Sequence, residues 1–205
     1  MGKRTQIIVN LKVVDKQNNN IIEREVLHYQ WGGHSNVMFL SLRNFFTNVK
    51  LFIGGIETGD IAFSSEKNYT YGILKNNLIN VLKNPYCFFM DLKDYNLINS
   101  DLETFFKKSF KITDCDQGRI LIDLLFNIKK GKKYCKWCFI TEKDEILELK
   151  DIPKEWNFDK VDNFIFNRTI DSINETEVLL NAGNGNLENF KIEYDPFHFQ
   201  VVLNK

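Results

Sequence analysis

The chain has 205 residues, of which 43% are hydrophobic and 26% are charged, and its 27 basic residues equal its 27 acidic residues. This length suits one domain, and the composition excludes a disordered chain, which needs low hydrophobicity and a large net charge. The zero formal net charge argues against a nucleic-acid-binding protein, which usually has a basic excess or a basic stripe. We expect a single domain over residues 1–205, with at most an internal seam near residue 110.

No segment of the chain predicts secretion or membrane insertion. Asn10 and Lys12 interrupt the apolar run near the N-terminus, so this run lacks the core of a signal peptide. No other run approaches the roughly 18 apolar residues that a membrane-spanning helix needs. We therefore expect a cytoplasmic protein whose cysteines are reduced thiols.

The N-terminal part of the chain predicts a β-hairpin that leads into a helix. Two β-rich runs, TQIIVNLKVV and IIEREVLHYQW, flank the polar turn DKQNNN, although residues 22–25 break the strict alternation. Gly32 and Gly33 end the second run. Ser35 or Asn36 can then cap a helix that is apolar on more than one face, so we expect this helix inside the fold.

The next segments predict a loop, two helices and a short strand. The stretch IGGIETGDIAFSSEKN is glycine-rich and predicts a loop from Ile53 onward. Helical spacing then predicts a helix from Tyr69 to Lys83, and YCFFMDL predicts a short strand. The stretch NSDLETFFKKSF predicts a helix that begins with a capping box, formed by Ser100 and Glu103 three residues later.

The clearest hairpin signal lies in the second half of the chain. The runs RILIDLLFNI and YCKWCFIT are joined by KKGKK, which we interpret as a hairpin tip rather than a DNA-binding arm. A later helix is predicted to begin near Pro153. Its expected buried residues are Trp156, Val161, Phe164, Ile165 and Ile170. The terminal stretch FKIEYDPFHFQVVL predicts a final strand from an imperfect alternation.

These elements mix strands and helices, and no repeat or long linker divides them. We therefore expect an α+β fold, in which a mostly antiparallel sheet built from hairpins packs against three to four helices.

The CKWC motif raises the question of a metal or redox site. Cys135 and Cys138 have the spacing of half a zinc site, but Cys87 and Cys115 are isolated and the three histidines are scattered. Residues three apart on a strand point to opposite faces, which disfavours shared ligation. We interpret the pair as buried thiols beside a core tryptophan, and we predict no metal site and no cofactor.

A cysteine enzyme would need a thiol beside a base. Cys115 could pair with His28 or His34 only if the fold joins them. The negative charges of Asp114 and Asp116 beside Cys115 would keep this thiol protonated rather than activate it. Because the sequence has no other catalytic signature, a function without catalysis is expected.

The corner LHYQWGGHSN is the best candidate for a ligand site. Its candidate residues are His28, Gln30, Trp31, Gly32, Gly33, His34 and Ser35. Free N–H groups at a helix start attract anions, His34 can add a donor or a charge, and Trp31 can stack on a base. The alternative interpretation is a strand-to-helix corner with a capped helix and a core tryptophan.

The stretch DCDQG could contribute to the same site. Asp114 and Asp116 could hold a metal ion or activate a water molecule next to a bound phosphate. The alternative is a turn in which the aspartates cap backbone groups and Gly118 supplies a positive φ.

Two segments, KRTQIIV…LHYQWGGHSNVMFLSL and DCDQGRILIDLL…KKYCKWCFI, resemble a set of small uncharacterised phage and prophage proteins. The resemblance covers residues 3–46 and 114–141, and it includes an N-terminal strand, an aromatic–His–Trp–Gly segment and an apolar helix. The chain departs from that set at Gln30, Gly32, Cys115 and Gln117. The resemblance implies an accessory gene of a mobile element.

We therefore expect a protein of the bacterial host cytoplasm that inhibits a host process. Its most concrete form is an anti-CRISPR-like or other anti-defence inhibitor that binds or sequesters a host protein complex stoichiometrically. One alternative is a protein that binds or cleaves a nucleotide, or another small phosphorylated ligand, at Trp31–Asn36 and Asp114–Gly118. The other is a structural module of a larger complex. Neither direct DNA binding nor membrane association is expected.

Overall fold

The computed structural model describes residues 4–15, 17–30, 36–58, 75–83, 87–92, 96–112, 118–148, 150–152, 163–182 and 190–203. Its strands are β1 (Thr5–Val14), β2 (Asn20–Tyr29), β3 (Cys87–Phe89), β4 (Arg119–Asn127), β5 (Lys132–Ile140) and β6 (Phe190–Tyr194). Its α-helices are α1 (Asn36–Thr58), α2 (Leu102–Ser109), α3 (Asn163–Ala182) and α4 (Pro196–Leu203). A short π turn, Lys75–Ile79, continues into a 3₁₀ turn, Asn80–Leu82. Strands and helices are thus combined in an α+β fold, as predicted.

The six strands form one sheet in the order β3-β2-β1-β4-β5-β6. The sheet is mixed, so the prediction of a mostly antiparallel sheet is wrong. Both predicted hairpins, β1–β2 and β4–β5, are present and antiparallel, but β1 pairs in parallel with β4 and β5 pairs in parallel with β6. Parallel neighbours need long crossovers, and local hairpin signals carry no information about where such crossovers return.

The two faces of the sheet are covered by different helices. On one face, here called the α1 face, α1 and α3 cover a core to which β1 contributes Ile7, Val9, Leu11 and Val13. On the opposite face, here called the α4 face, α2 and α4 cover a smaller core that includes Ile8, Phe105, Phe106 and Phe199. Alternate residues of one strand therefore belong to different cores, as the pleat of a strand requires.

The first helix is longer than the sequence predicts. It continues through Gly54 to Thr58, where a glycine-rich loop was expected. Its residues Met38, Phe39, Leu42, Phe45, Phe46, Val49, Phe52 and Ile53 are buried, which confirms that it lies inside the fold. Packing of this wide apolar surface against the sheet outweighs the low helix propensity of glycine.

Two other predicted boundaries differ from the structure. Helix α2 is capped by Asp101 rather than Ser100, because the Asp101 side chain accepts a hydrogen bond of 2.7 Å from the backbone N–H of Thr104. The predicted terminal strand ends at Tyr194, and the alternating residues after it form helix α4. Phe164, an expected core residue on α3, is 62% exposed. Trp156 and Val161 lie outside the described residues.

The second hairpin matches its prediction closely. Gly131 in the KKGKK tip has a φ of 61°, and β4 and β5 pair in register from Arg119–Ile140 to Asn127–Lys132. Gly118, immediately before β4, has the predicted positive φ, at 93°. Over the described part of the chain, no helix is both long enough and apolar enough to cross a membrane.

Candidate functional site

A row of four polar residues crosses the α4 face of the sheet. Arg24 on β2, Asn10 on β1, Asp123 on β4 and Lys136 on β5 are direct cross-strand neighbours. Asp123 is 1% exposed, and Asn10 and Arg24 are also buried. Burying such groups is costly unless each one is hydrogen-bonded, so their partners decide what the row can do.

Asp123 lies at the centre of this row and receives hydrogen bonds from three directions. Asn10 Nδ2 donates to its Oδ1 at 2.7 Å. The hydroxyl of Tyr134 donates to Oδ2 at 3.1 Å, and His198 Nε2 lies 3.1 Å from the same oxygen. Tyr134 belongs to β5, two residues before Lys136, so the strand period places both side chains on the α4 face.

Arg24 occupies the β2 end of the row. Its Nε donates to Asn10 Oδ1 at 3.0 Å, and its Nη1 donates to the carbonyls of Leu97 at 2.9 Å and Ser100 at 2.6 Å. The guanidinium carbon also lies 4.9 Å from the centroid of the Phe105 ring. Arg24 therefore links the sheet to the turn that precedes helix α2.

Asp195 occupies the opposite end, where it begins helix α4. Its Oδ1 accepts the backbone N–H of His198 at 3.0 Å, and its Oδ2 accepts Lys136 Nζ at 2.5 Å. Burial by itself would raise the pKa of Asp195, but these two hydrogen bonds and the positive charge of Lys136 together outweigh it, and the pKa is lowered. An aspartate cap followed by Pro196 is a strong helix start, and it places His198 in the first turn, above Asp123.

His198 is the part of this arrangement that reaches solvent. Its side chain is 21% exposed, whereas that of Asp123 is 1% exposed. In the described structure, the imidazole uses Nε2 for Asp123 and makes ring contacts with Tyr134 and Phe199, and Nδ1 has no hydrogen-bond partner. One ring nitrogen is thus held by a buried carboxylate while the other is left for a ligand or water.

The tyrosine contributes a hydroxyl that stays protonated. Burial, together with the nearby charge of Asp123, raises the pKa of Tyr134 well above its ordinary value. Tyr134 therefore acts as a hydrogen-bond donor to Asp123 over the whole physiological range. We call the residues of this arrangement the Asp123 cluster. They are Asn10, Arg24, Asp123, Tyr134, Lys136, Asp195 and His198.

The sequence contains local signals for three residues of this cluster. Asp123 interrupts the apolar run RILIDLLFNI, and an acidic side chain buried in a core strand needs hydrogen-bonding or charged partners. Arg24 belongs to the four residues that broke the alternation of β2. Asp195 followed by Pro196 is a helix-start signal, which the apparent alternation of the following residues obscured.

The predicted ligand corner is only partly described. His28 is buried on β2, where it pairs with Gln6 and Phe88, and it takes no part in the Asp123 cluster. Gln30 is exposed. The remaining predicted site residues lie outside the described residues: Trp31, Gly32, Gly33, His34, Ser35, Asp114 and Asp116.

One described residue near each of these two segments lies at the same end of the sheet. Tyr29, the last residue of β2, pairs with Thr5 of β1. The carbonyl of Gly118, just before β4, accepts the backbone N–H of Gln6 at 3.4 Å. Strand β1 lies between β2 and β4, so the two predicted segments connect to neighbouring positions on the fold. Their participation in a common ligand site stays a prediction.

The cysteines of CKWC lie in different cores, which confirms the prediction that they point to opposite faces. Cys135 belongs to the core of the α1 face and Cys138 to the core of the α4 face. Burial raises the pKa of both thiols well above the ordinary value, so both stay protonated. Among the described residues, no group of three or more His, Cys, Asp or Glu side chains could hold a metal ion.

The Asp123 cluster therefore combines a buried carboxylate, a tyrosine donor and a partly exposed imidazole on a rigid sheet. Its arrangement can orient an imidazole through one ring nitrogen. Comparisons with protein-family models, with curated proteins and with solved structures give no match to this chain.

Proposed function

We propose that the protein binds a small anionic molecule beside His198 and transfers a proton to or from it. One observation carries this proposal: the buried Asp123 carboxylate holds Nε2 of His198, while the ring is partly exposed and Nδ1 has no partner in the described structure. A carboxylate in that position orients an imidazole and fixes its tautomer, which is what a general acid or base needs.

The sheet next to His198 supports an anionic and partly apolar ligand. The row beside the Asp123 row on the α4 face consists of Ile22, Lys12, Leu125 and Tyr134, which are direct cross-strand neighbours. Ile22 is 39% exposed, and the other three are half-buried. Lys12 supplies a cation for a phosphate or carboxylate, and the apolar members supply a surface for an organic group. A nucleotide or a similar small phosphorylated molecule has this chemistry.

Ligand-dependent thermal stability tests the proposal. The full chain is melted with inorganic phosphate, nucleoside monophosphates and nucleoside diphosphates, and at least one of these probes is expected to raise Tm. A ligand at a hundred times its Kd stabilises a protein by about 2.7 kcal/mol, which is easily measured. Lys12→Met and His198→Gln should each reduce the shift. Gln200→Ala, an exposed position on the same helix, is the matched control and should preserve it.

Two outcomes would contradict the proposal. If no probe raises Tm of the wild-type chain, the site does not bind this class of ligand. If a probe raises Tm equally in wild type and in His198→Gln, the ligand binds elsewhere, and the segments 31–35 and 113–117 become the next sites to test.

A second candidate function is the expected stoichiometric inhibitor of a host process, with a host protein complex as its partner. The supporting observation is the exposure of large apolar side chains on α1 and α3, which cover the same face of the sheet: Leu51 is 65% exposed and Phe164 62%. Exposed apolar side chains are typical of protein-binding surfaces when they lie close together. A host protein captured by the wild-type chain and lost with both Leu51→Glu and Phe164→Glu would support this function. Capture that is unaffected by both substitutions would contradict it.

A further inference from the structure

Two arginines are buried on the α4 face, and their surroundings are closely matched. Arg24 lies 4.9 Å from the Phe105 ring centroid and Arg119 lies 4.6 Å from that of Phe110. Both donate to backbone carbonyls. Both use Nε to hold an amide oxygen on β1, which belongs to Asn10 for Arg24 and to Gln6 for Arg119.

The two arginines differ in what balances their charge. Arg119 pairs directly with Asp144, whose Oδ1 lies 2.5 Å from Nη1. Arg24 forms no direct ion pair with any carboxylate in the described part of the chain. Its positive charge interacts at longer range with the carboxylates of Asp101 and Asp123. It is also connected to Asp123 through the amide of Asn10, which accepts from Arg24 at 3.0 Å and donates to Asp123 at 2.7 Å.

The orientation of the Asn10 amide follows from these two charges. The amide oxygen can only accept and the amide nitrogen can only donate. A flipped amide would place its NH₂ group against the guanidinium and its oxygen against the carboxylate, which is unfavourable at both ends. Arg24 and Asp123 therefore select the same orientation, and the three groups form a chain of hydrogen bonds that all run in one direction.

We propose that Arg24 is a positioning residue which, through Asn10, holds Asp123 so that His198 keeps its proton on Nε2 and presents Nδ1 as the proton acceptor. Asn10 occupies Oδ1 of Asp123, so Oδ2 remains for Tyr134 and His198. Tyr134 already donates to Oδ2, and an ionised carboxylate only accepts, so Nε2 must carry a proton. This inference deepens the proposed function, but the position of the proton can be measured without any ligand.

Proton NMR of the labelled full chain tests the inference through the Nε2 proton of His198. The spectrum is recorded at a pH well above the ordinary range of histidine, and His198→Gln assigns the signal among the three histidines. Wild type should show a downfield Nε2 proton that exchanges slowly with water. Arg24→Lys and Asn10→Leu should speed this exchange by roughly tenfold or more, because each interrupts the chain of charged hydrogen bonds.

Arg119→Lys is the matched control. It removes the same guanidinium geometry from the same face, yet it is not connected to Asp123, so the exchange of the His198 Nε2 proton should stay within about twofold of wild type. Equal acceleration in Arg24→Lys and Arg119→Lys would show a general loosening and overturn the inference. Unchanged exchange in folded Asn10→Leu would also overturn it.

A wild-type measurement keeps the inference testable even if both substitutions prevent folding. The Nε proton of Arg24 and the Nδ2 protons of Asn10 should be protected from exchange, whereas those of exposed Arg43 and Asn167 should not. Exchange of the Arg24 and Asn10 protons as fast as in these exposed residues would refute the hydrogen-bond chain. Failure of every probe to raise Tm, with the Nε2 proton still protected, would instead contradict only the proposed ligand function.

Discussion

The two faces of the central strands have opposite chemistry. On the α1 face, β4 presents Ile120, Ile122, Leu124 and Phe126, all buried in one apolar core. On the α4 face, the same strand presents Arg119, Leu121, Asp123 and Leu125. On strand β4, the α1 face is entirely apolar. The second face buries charged groups in the middle of a strand. This breaks the rule that core strands are apolar, and proteins break such local rules at functional sites.

The largest expected effect comes from removing a ring from the α1 face. The Phe39 ring packs against Phe139 and Phe166, with centroids 6.4 Å and 5.5 Å away. Phe39→Ala should lower the free energy of unfolding by about 3–5 kcal/mol, as measured by denaturant titration. The His198 Nε2 proton should keep its slow exchange. If Phe39→Ala loses both stability and the slow exchange of the His198 Nε2 proton, the two faces of the sheet do not act independently.

The next largest effect is expected from removing the charge of Asp123 on the α4 face. Asp123→Asn keeps the shape but removes the charge that its donors share, and it should cost about 1.5–3 kcal/mol of unfolding free energy. The pKa of Tyr134 should fall toward the ordinary value but remain above it, because burial still raises it. A spectrophotometric titration with Tyr134→Phe as reference measures this. Asp171→Asn, at an exposed position on α3, is the control and should change little.

A smaller effect with a defined pH dependence is expected at the start of α4. The folded pKa of Asp195 is lowered, so its ionised form stabilises the fold above the ordinary carboxyl range, and this contribution is lost as the pH falls below that range. Lys136→Met should cost about 1 kcal/mol or less at neutral pH. When unfolding is measured at several pH values, the urea midpoint of Lys136→Met should approach that of wild type as the pH falls into the acid range. A constant difference at every pH would contradict the assignment to Asp195.

The smallest effect is a stabilisation on the α1 side. A Cβ added at Gly54 in α1 would meet nothing within 4 Å, so Gly54→Ala should raise the free energy of unfolding by about 0.5–1 kcal/mol. The contrasting control is Gly118→Ala. There φ is +93° and a Cβ would lie 2.2 Å from the Ile140 carbonyl oxygen, so this variant should be less stable. Equal thermal shifts in both variants would contradict the assigned geometries.

Local patterns in the sequence predicted the hairpins, the buried first helix and the opposite directions of Cys135 and Cys138. Their signals lie within a few residues of one another, so period and turn chemistry were sufficient. The Asp123 cluster could not be predicted in this way. Asn10 and Asp123 are 113 residues apart, and Asp123 and His198 are 75 apart. No local pattern shows that β4 pairs with β1 and thereby makes β1 an inner strand of the sheet.

The pairing of β1 with β4 has a consequence for how the chain folds. Strand β1 is made before β4, which begins at Arg119, so the backbone groups along one edge of β1 wait for this partner during synthesis. Pairings of such long sequence separation slow folding, and an open strand edge invites association between chains. Refolding should therefore be slow and sensitive to protein concentration. Chains halted before β4 should aggregate through β1, whereas chains that have completed β4 should not.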